Sequence, residues 1–437
     1  MKYYQWVAGL ALIGLLAGCH KAQPAVQSQT KPLLKAQRAI FAHSSSTNAG
    51  KRIHILMPQT ANGKALVKAA PYQAAAAKAL GKAKAAAAYV TFTGHPLQAD
   101  YWQLTPSVQV YQVKNGTTKL VKKQALKPVN VNTKTAEILT AGSLLNTDAE
   151  LQAVNYRALK QVADGKHLSA DQLKQAQAIT WLKNRQATNL TVSAKTLTIY
   201  PAANPLQIKA VDIPLTAISS YLSKWHQGQA TVADAKQKLV ALTFDDGPNP
   251  QTTPQILNTL AKFHVQATFF LLGEQVAQNP ALSAQVAAGH EVGTHTYDHE
   301  NIAALAPKAA VAEVDQSLAT LYEATGKLPT LLRPPYGAMD KAHDAGVALP
   351  AIQWSIDSRD WTTTQVAPIV SRVTHATYPG SIILMHDIHP QSVAALPAII
   401  KGLQAQGYRF VTVSQLLGTQ LLPHEQYFGV GDHRPIE

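Results

Sequence analysis

Cysteine is nearly missing from this chain: 437 residues contain one, Cys19. An intrachain disulfide framework is excluded, and so is a zinc site built on thiolates. Acidic residues are scarce in the N-terminal half, where residues 1–230 carry 27 Lys+Arg against 7 Asp+Glu, a balance of +20. Residues 231–437 reverse this, with 12 against 18, or −6. The two halves therefore do different jobs. A basic half attracts anionic polymers such as wall polymers or lipid head groups, with solubility as the plain alternative. Its lysines are spread out without interleaved aromatic residues, so nucleic-acid binding is a poor reading. The opening apolar stretch, Trp6 to Leu16, is broken only by glycine. It is short for a membrane span of roughly 20 residues.

That stretch follows Lys2 and ends in Leu16-Ala17-Gly18-Cys19. Met1 to Gly18 reads as a secretory signal. The ending resembles the bacterial lipoprotein signal, in which the cysteine is lipidated and becomes the mature N-terminus. On that resemblance residues 1–19 are a signal with lipidated Cys19, and several acyl chains anchor the protein stably on the outer face of the membrane. Simple cleavage or a retained anchor are the alternatives. Residues 20–50, rich in Ala, Gln, Ser, Thr and Lys, read as a flexible tether.

Length allows two or three domains with real cores. Residues 51–225 read as a small α+β domain. The Ala/Lys-rich stretch Gly63 to Ala88 favours helix despite Pro71, with a low-complexity spacer as the alternative. Ala88 to Thr93 and Ser107 to Val113 alternate like half-buried strands. Asp148 to Asp164 and Ser169 to Ala178 read as capped helices. No cluster of convergent polar residues occurs there, so binding or spacing is the expected role. Residues 236–420 alternate strand and helix, from the apolar run ending at Phe244, through a strand at Pro329 to Leu332, to the strand at Tyr408 to Val413. Repeated βα units argue for a parallel barrel or wound sheet, with chemistry on loops at the C-terminal ends of the strands. Residues 421–437 read as a C-terminal tail.

Two adjacent carboxylates, Asp245 and Asp246, stand at the tip of an apolar strand before Gly247-Pro248. Downstream, His295 and His299 are four apart. Two carboxylates and two imidazoles suit a zinc site with one carboxylate left over as a base. Each cluster alone is weak, because Asp-Asp-Gly-Pro is usually a turn and His-x-x-x-His is more often a surface pair. Their order raises the odds. Thr243-Phe244-Asp245-Asp246-Gly247-Pro248, His295-Thr296-Tyr297-Asp298-His299, Arg333-Pro334-Pro335-Tyr336-Gly337, Asp357-Ser358-Arg359-Asp360-Trp361 and Ile383-Leu384-Met385-His386-Asp387 follow one another within about 145 residues.

This series resembles, motif by motif, the NodB-homology polysaccharide deacetylases (carbohydrate esterase family 4). The resemblance implies an α/β fold, a distorted (β/α) barrel of the NodB type, preceded by the smaller α+β domain. It implies that Asp246, His295 and His299 hold a divalent metal, zinc in the first place, with cobalt or manganese as substitutes. Asp245 is then the general base, oriented by Arg333, and His386 the general acid, biased by Asp360. The Tyr336 N–H would help an oxyanion, and Trp361 and Leu384 would wall the acetyl pocket. Asp357 is assigned no catalytic role and reads as a turn cap. His264, His290, His343, His389, Glu274 and Asp387 match no ligand position and read as structural or surface residues. More loosely, the layout from Ala136-Glu137-Ile138-Leu139 to Ile213-Pro214-Leu215 resembles the anti-sigma-factor RsiV-like domain found beside some wall-modifying deacetylases.

The reading is a metal-dependent N-deacetylase. A membrane-tethered enzyme facing outward meets its own wall first, so peptidoglycan N-acetylglucosamine is the expected substrate and a monomer the expected state. N-acetylmuramic acid is a nearby variant. Chitin-type oligomers and acetyl esters of the xylan type are alternatives, because amide and ester pass through the same tetrahedral oxyanion. A non-catalytic wall-binding lipoprotein is the remaining class, and the intact Asp245 and His386 argue against it.

Overall fold

The computed structural model describes residues 30–38, 41, 44–48, 52–81, 86–98, 100–114, 117–222 and 237–437. The signal segment with Cys19 lies outside the described residues, as does the join at 226–235. Among the described residues no helix is long and apolar enough to cross a membrane. The chain divides into two compact units, Met1–Ile138 and Leu139–Glu437.

The first unit is a six-stranded sheet with helices packed on it. Strand order is Ser44–Asn48, Ile53–Pro58, Ala86–Gln98, Tyr101–Lys114 and Thr117–Ala125, with Val129–Asn132 also pairing Tyr101–Lys114. Two expectations change here. The tether proposed for 20–50 contains the helix Thr30–Arg38 and the strand Ser44–Asn48, antiparallel to Ile53–Pro58. Composition hid them, because a Ser/Thr-rich segment becomes a strand once an apolar neighbour offers its edge. Gln37 ties the segment down, donating to the Leu56 carbonyl (2.5 Å) and accepting from the Phe92 N–H (2.9 Å). The long helix expected over Gly63 to Ala88 is confined to Ala70–Leu80, with Pro71 in its first turn. Ala86, Ala87 and Ala88 instead open a strand buried on both faces, where pairing overrides the helical preference of alanine.

The second unit begins well before the expected boundary. The helix Asp148–Lys166 is closed by a capping box between Thr147 and Glu150. The helix Ala170–Gln177 and an antiparallel sheet of Leu190–Val192, Thr196–Ile199 and Val211–Pro214 follow. These were expected to belong with residues 51–138. They join the barrel unit instead, because their polar groups are satisfied by it. Tyr156 donates to the Pro329 carbonyl (2.5 Å), Tyr322 to the Ala163 carbonyl (2.7 Å), Lys160 to the Leu328 carbonyl (2.6 Å) and Tyr221 to the Leu421 carbonyl (2.9 Å).

The barrel is built from short parallel strands. Leu239–Asp245 lies at its centre, buried at every position, as a strand covered on both faces must be. It pairs in parallel with Thr268–Leu271 on one side and Ile382–His386 on the other. Glu291–Thr294 continues beyond the first neighbour and Ile356–Asp357 beyond the second. Leu332 bridges both Thr294 and Ala351, so residues 351–357 touch both ends of the series and close it. Two staves are thus reduced to bridges, which makes this the distorted (β/α) barrel expected. The strand expected at Pro329 to Leu332 is one of those bridges. Phe244, Phe269, Ile383, Met385 and Leu396 anchor the core between sheet and outer helices. The expected tail is a hairpin, Glu425–Gly429 with Asp432–Pro435, whose first strand runs beside Ala351–Ile352 and buries Tyr427.

Candidate active site

The strand tips converge. Register sets Asp245 directly beside His386 across the central pair of strands. The next residue, Asp246, turns out of the strand with φ 74°. His295 follows Glu291–Thr294 at the neighbouring strand end, and its Nδ1–H donates to the Arg333 carbonyl (2.7 Å). That bond fixes the tautomer and leaves the Nε2 lone pair free.

Asp246, His295 and His299 each offer one ligand atom, all within 4.8 Å of one another. Asp246 Oδ1 lies 3.4 Å from Nε2 of His295 and 3.4 Å from Nε2 of His299. It is buried and has no hydrogen-bond partner. An orphaned carboxylate oxygen facing two imidazole lone pairs is an arrangement that a divalent cation completes, and an O/N/N set suits zinc. The residues present therefore fit the implied metal. Burial pushes the Asp246 carboxyl up, but the His295 imidazole 3.4 Å away, with the charges of His386 and His299, holds it at about 2.

Asp245 stays off this trio, its Oδ2 3.9 Å from His295 Nε2. Its Oδ1 accepts from Arg333 Nη1 at 2.8 Å. Arg333 is no surface ion pair: it is wholly buried, and it also donates to Thr243 Oγ1 (2.7 Å) and to the carbonyls of Ile352 (3.0 Å) and Gln353 (3.0 Å). Its guanidinium lies 4.2 Å from the Phe270 ring centroid. Four donors committed to four acceptors leave the Arg333–Asp245 pair one geometry.

Across the cavity, His386 Nδ1–H donates to Asp360 Oδ1 (2.7 Å) and its backbone N–H to Asp360 Oδ2 (2.8 Å). Burial pulls the imidazole down, but the hydrogen bond and charge of Asp360 lift it to about 9. The free nitrogen, Nε2, belongs to a residue lining a cavity of about 370 Å³, with Asp245, Asp246, His295, His299, Tyr336, Trp354, Asp357, Trp361 and Leu384 around it. All the residues expected at the site are thus brought together, Cys19 excepted. Tyr336 and Trp361 are its most exposed walls, at 69% and 59%, and Leu384 is buried.

A family model described as polysaccharide deacetylase matches residues 233–349. The peptidoglycan-N-acetylglucosamine deacetylase PgdA of Listeria monocytogenes is 32% identical over 344 residues, covering 76% of this chain and 73% of that protein. The chain belongs to the polysaccharide deacetylase family. The peptidoglycan-N-acetylmuramic acid deacetylase PdaC of Bacillus subtilis is 41% identical over 42% of this chain and 39% of that protein. A solved structure of PdaC aligns with 42% of this chain and 92% of that chain, at 40% identity and a TM-score of 0.41.

Around this deacetylase site the structure adds residues that no motif flagged. Ser392 donates to Asp360 Oδ2 (2.5 Å) and Gln391 to the Asp360 carbonyl (2.8 Å), so the helix after His386 holds its partner. Glu313 accepts from the N–H groups of Tyr297 (3.0 Å) and Asp298 (3.3 Å), shaping the turn between the two histidines. Thr243 was read only as part of its motif, yet its hydroxyl receives Arg333. Helix-start serines and mid-helix glutamates give no sequence signal for such duties. Asp387, read as structural, is fully buried beneath Gly247, with Thr253 Oγ1 donating to it at 2.5 Å. Burial raises its carboxyl to about 7. His290 and His343 are structural as read: His290 Nδ1 accepts from the Ala267 N–H, and His343 pairs with Asp340. His389 differs, since its ring stands 5.7 Å from that of His386.

Five of the ten non-glycine residues with left-handed backbone among the described residues are Asp246, Thr296, His299, Tyr336 and Arg359. Each belongs to one of the site loops. Such strain, of order 1–3 kcal/mol per residue, persists where surrounding contacts over-determine the conformation.

Proposed function

We propose that this polysaccharide deacetylase hydrolyses the N-acetyl group of N-acetylglucosamine in peptidoglycan, with Asp245 as base and His386 as acid. One observation carries the reading. An Arg333-held carboxylate and an Asp360-held imidazole flank a single cavity on whose floor lies the Asp246, His295, His299 trio. A divalent ion held by that trio, zinc by its donor set, supplies Lewis acidity toward the acetyl oxygen and the attacking water.

The remaining work falls to side chains. Asp245, fixed by Arg333, takes the proton of the water that adds to the acetyl carbon. The Tyr336 N–H supports the tetrahedral oxyanion. His386, kept protonated by Asp360, delivers its Nε2 proton to the nitrogen as the C–N bond breaks. Acetate and a free sugar amine leave. Trp361 and Leu384 enclose the methyl group.

The wall as substrate draws support from the Listeria relative, which carries this activity in its name and aligns over three quarters of this chain. It also draws support from the lipoprotein-like ending at Cys19, which would anchor a monomeric enzyme on the outer face of the membrane. The test is acetate release from purified peptidoglycan, with zinc, with chelator, and by Asp245→Asn. Release that needs metal and disappears in the variant supports the reading. No release from folded, zinc-loaded protein rejects it, and turns attention to chitin oligomers and acetyl esters.

A further inference from the structure

The two histidines of the trio are held in different ways. His295 is tied through Nδ1 to the Arg333 carbonyl. No such bond reaches Nδ1 of His299 among the described residues. Its ring neighbours are Tyr336, with centroids 4.7 Å apart, and His295, at 5.1 Å. A metal-binding imidazole is usually oriented by a hydrogen bond to its second nitrogen. For His299 the main chain before it takes over that duty. That main chain is strained: Thr296 and His299 both have left-handed backbone, φ 69° at each.

Residues 296–298 are clamped from two sides. On one side the Gly273 N–H donates to the Thr296 carbonyl (3.0 Å) and the Glu274 N–H to the Tyr297 carbonyl (2.8 Å). The approach is close enough that a Cβ on Gly273 would stand 2.5 Å from the Tyr297 ring. On the other side is the helix Pro307–Thr325. Its Ser317 Oγ accepts from the Thr294 hydroxyl (2.7 Å), which in turn accepts the Thr296 N–H (3.3 Å). Its Glu313 Oε2 accepts both the Tyr297 N–H (3.0 Å) and the Asp298 N–H (3.3 Å). Glu313 is the charged member of the clamp, and it alone holds the last two donors before His299. Charge-assisted bonds to backbone N–H groups are stronger than neutral ones.

We infer that Glu313 is a positioning residue for the metal: it holds the turn in the conformation that aims Nε2 of His299 at Asp246 Oδ1, and so sets how tightly the ion is held. An ion that needs all three ligands binds only those molecules in which His299 is aimed, and the apparent affinity scales with that fraction. Without Glu313 the Tyr297 and Asp298 N–H groups turn to water. His299 is then free to leave its left-handed backbone state, and the fraction falls. The Arg333–Asp245 and Asp360–His386 pairs stand on other strand ends and make no bond to Glu313.

This inference rests on the metal-dependent reading, and its test separates the two. Full-chain apo-protein is titrated with zinc against a chromophoric chelator. Glu313→Ala is expected to bind zinc about 10- to 100-fold more weakly than the wild type, the usual cost of losing an outer support of a metal site. Glu313→Gln keeps an acceptor oxygen for the two N–H groups and restores most of the affinity. Cobalt binding falls by the same factor as zinc binding, because the aimed fraction does not depend on the ion. Acetate release by Glu313→Ala climbs with added zinc over a range in which the wild type is already saturated, a response that general loss of structure would not give. If Glu313→Ala does not fold, Glu313→Asp carries the same expectation, since it keeps the charge but falls short of the turn. Wild-type zinc affinity in a folded Ala or Asp variant overturns the inference, and so does a Gln variant as weak as the Ala one. Wild-type protein that takes up no zinc would instead be a failure of the metal-dependent reading.

Discussion

At the scale of the residue, the site works through partners that leave each catalytic group one state. His386 is the clearest case. Asp360 lifts its imidazole to about 9 against the pull of burial. The acid form is therefore present at neutral pH and is lost as pH rises through that value. Activity is predicted to fall on the alkaline side with this limb. In Asp360→Asn the lifting charge is gone, an amide oxygen is left as a weaker acceptor and burial remains, so the limb moves down toward or below the ordinary histidine range. A pH profile of kcat/KM for both proteins at one metal loading checks this. A bound dication displaces both limbs downward, so the difference between variants is the quantity read. An unmoved limb in the variant would remove His386 from the acid role. Arg333 offers a second residue-scale prediction. Its removal strands the buried Asp245 carboxylate, so Arg333→Ala is expected to cost about 3–5 kcal/mol of stability along with activity, by denaturant titration. A loss below about 1 kcal/mol would contradict the buried pairing.

At the scale of the element, strand ends and tight turns deliver these residues, and one contact decides how far the first turn can change. A Cβ on Gly247 would stand 2.3 Å from Asp387 Oδ1 and 2.4 Å from its Oδ2, a buried carboxylate that the Thr253 hydroxyl holds in place. Gly247→Ala is predicted to lower stability by about 1–3 kcal/mol, the usual range for forced overpacking. A matching fall in Tm would support this, and a neutral effect would mean that the carboxylate moves aside freely. The five motifs were legible because short polar clusters after apolar runs are rare enough to order. Their supports were not. Ser392 and Glu313 act through hydrogen bonds to Asp360 and to the Tyr297 and Asp298 backbone, and those contacts exist only after the helices have packed. Leu332 looked like part of a strand, yet it closes the barrel through two bridges, a matter of register that a single sequence does not carry. Asp357 was visible as a turn residue, while its place on the cavity wall depends on pairing with Leu384.

At the scale of the whole molecule, the boundary between units is the main departure from expectation. Helix and sheet at 139–222 have the composition of an independent α+β domain, and propensity gave no reason to separate them from residues 51–138. The seam that decides it is polar: Tyr156 to Pro329, Tyr322 to Ala163, and Ser220 with Gln420, whose Oε1 accepts from the Ser220 N–H at 2.7 Å. A chain begun at Leu139 is therefore predicted to fold and to keep activity on a small acetylated oligosaccharide. A chain begun at residue 236 leaves these groups unpaired and exposes the faces that bury Tyr156 and Tyr221, so it should be markedly less stable or aggregate. Thermal unfolding of the two truncations decides between this division and one at 225–236. Equal Tm values would favour the latter.

The central claim is amide hydrolysis on a wall glycan by Asp245 and His386 around the Asp246, His295, His299 trio. Its most direct measurement pairs acetate released from zinc-loaded reactions on peptidoglycan with free amines formed on the glucosamine residues. The account predicts equal amounts of each, abolished by chelation and by Asp245→Asn. Acetate without new amines would make the protein an esterase, and neither product from a folded, zinc-loaded chain would contradict the account outright.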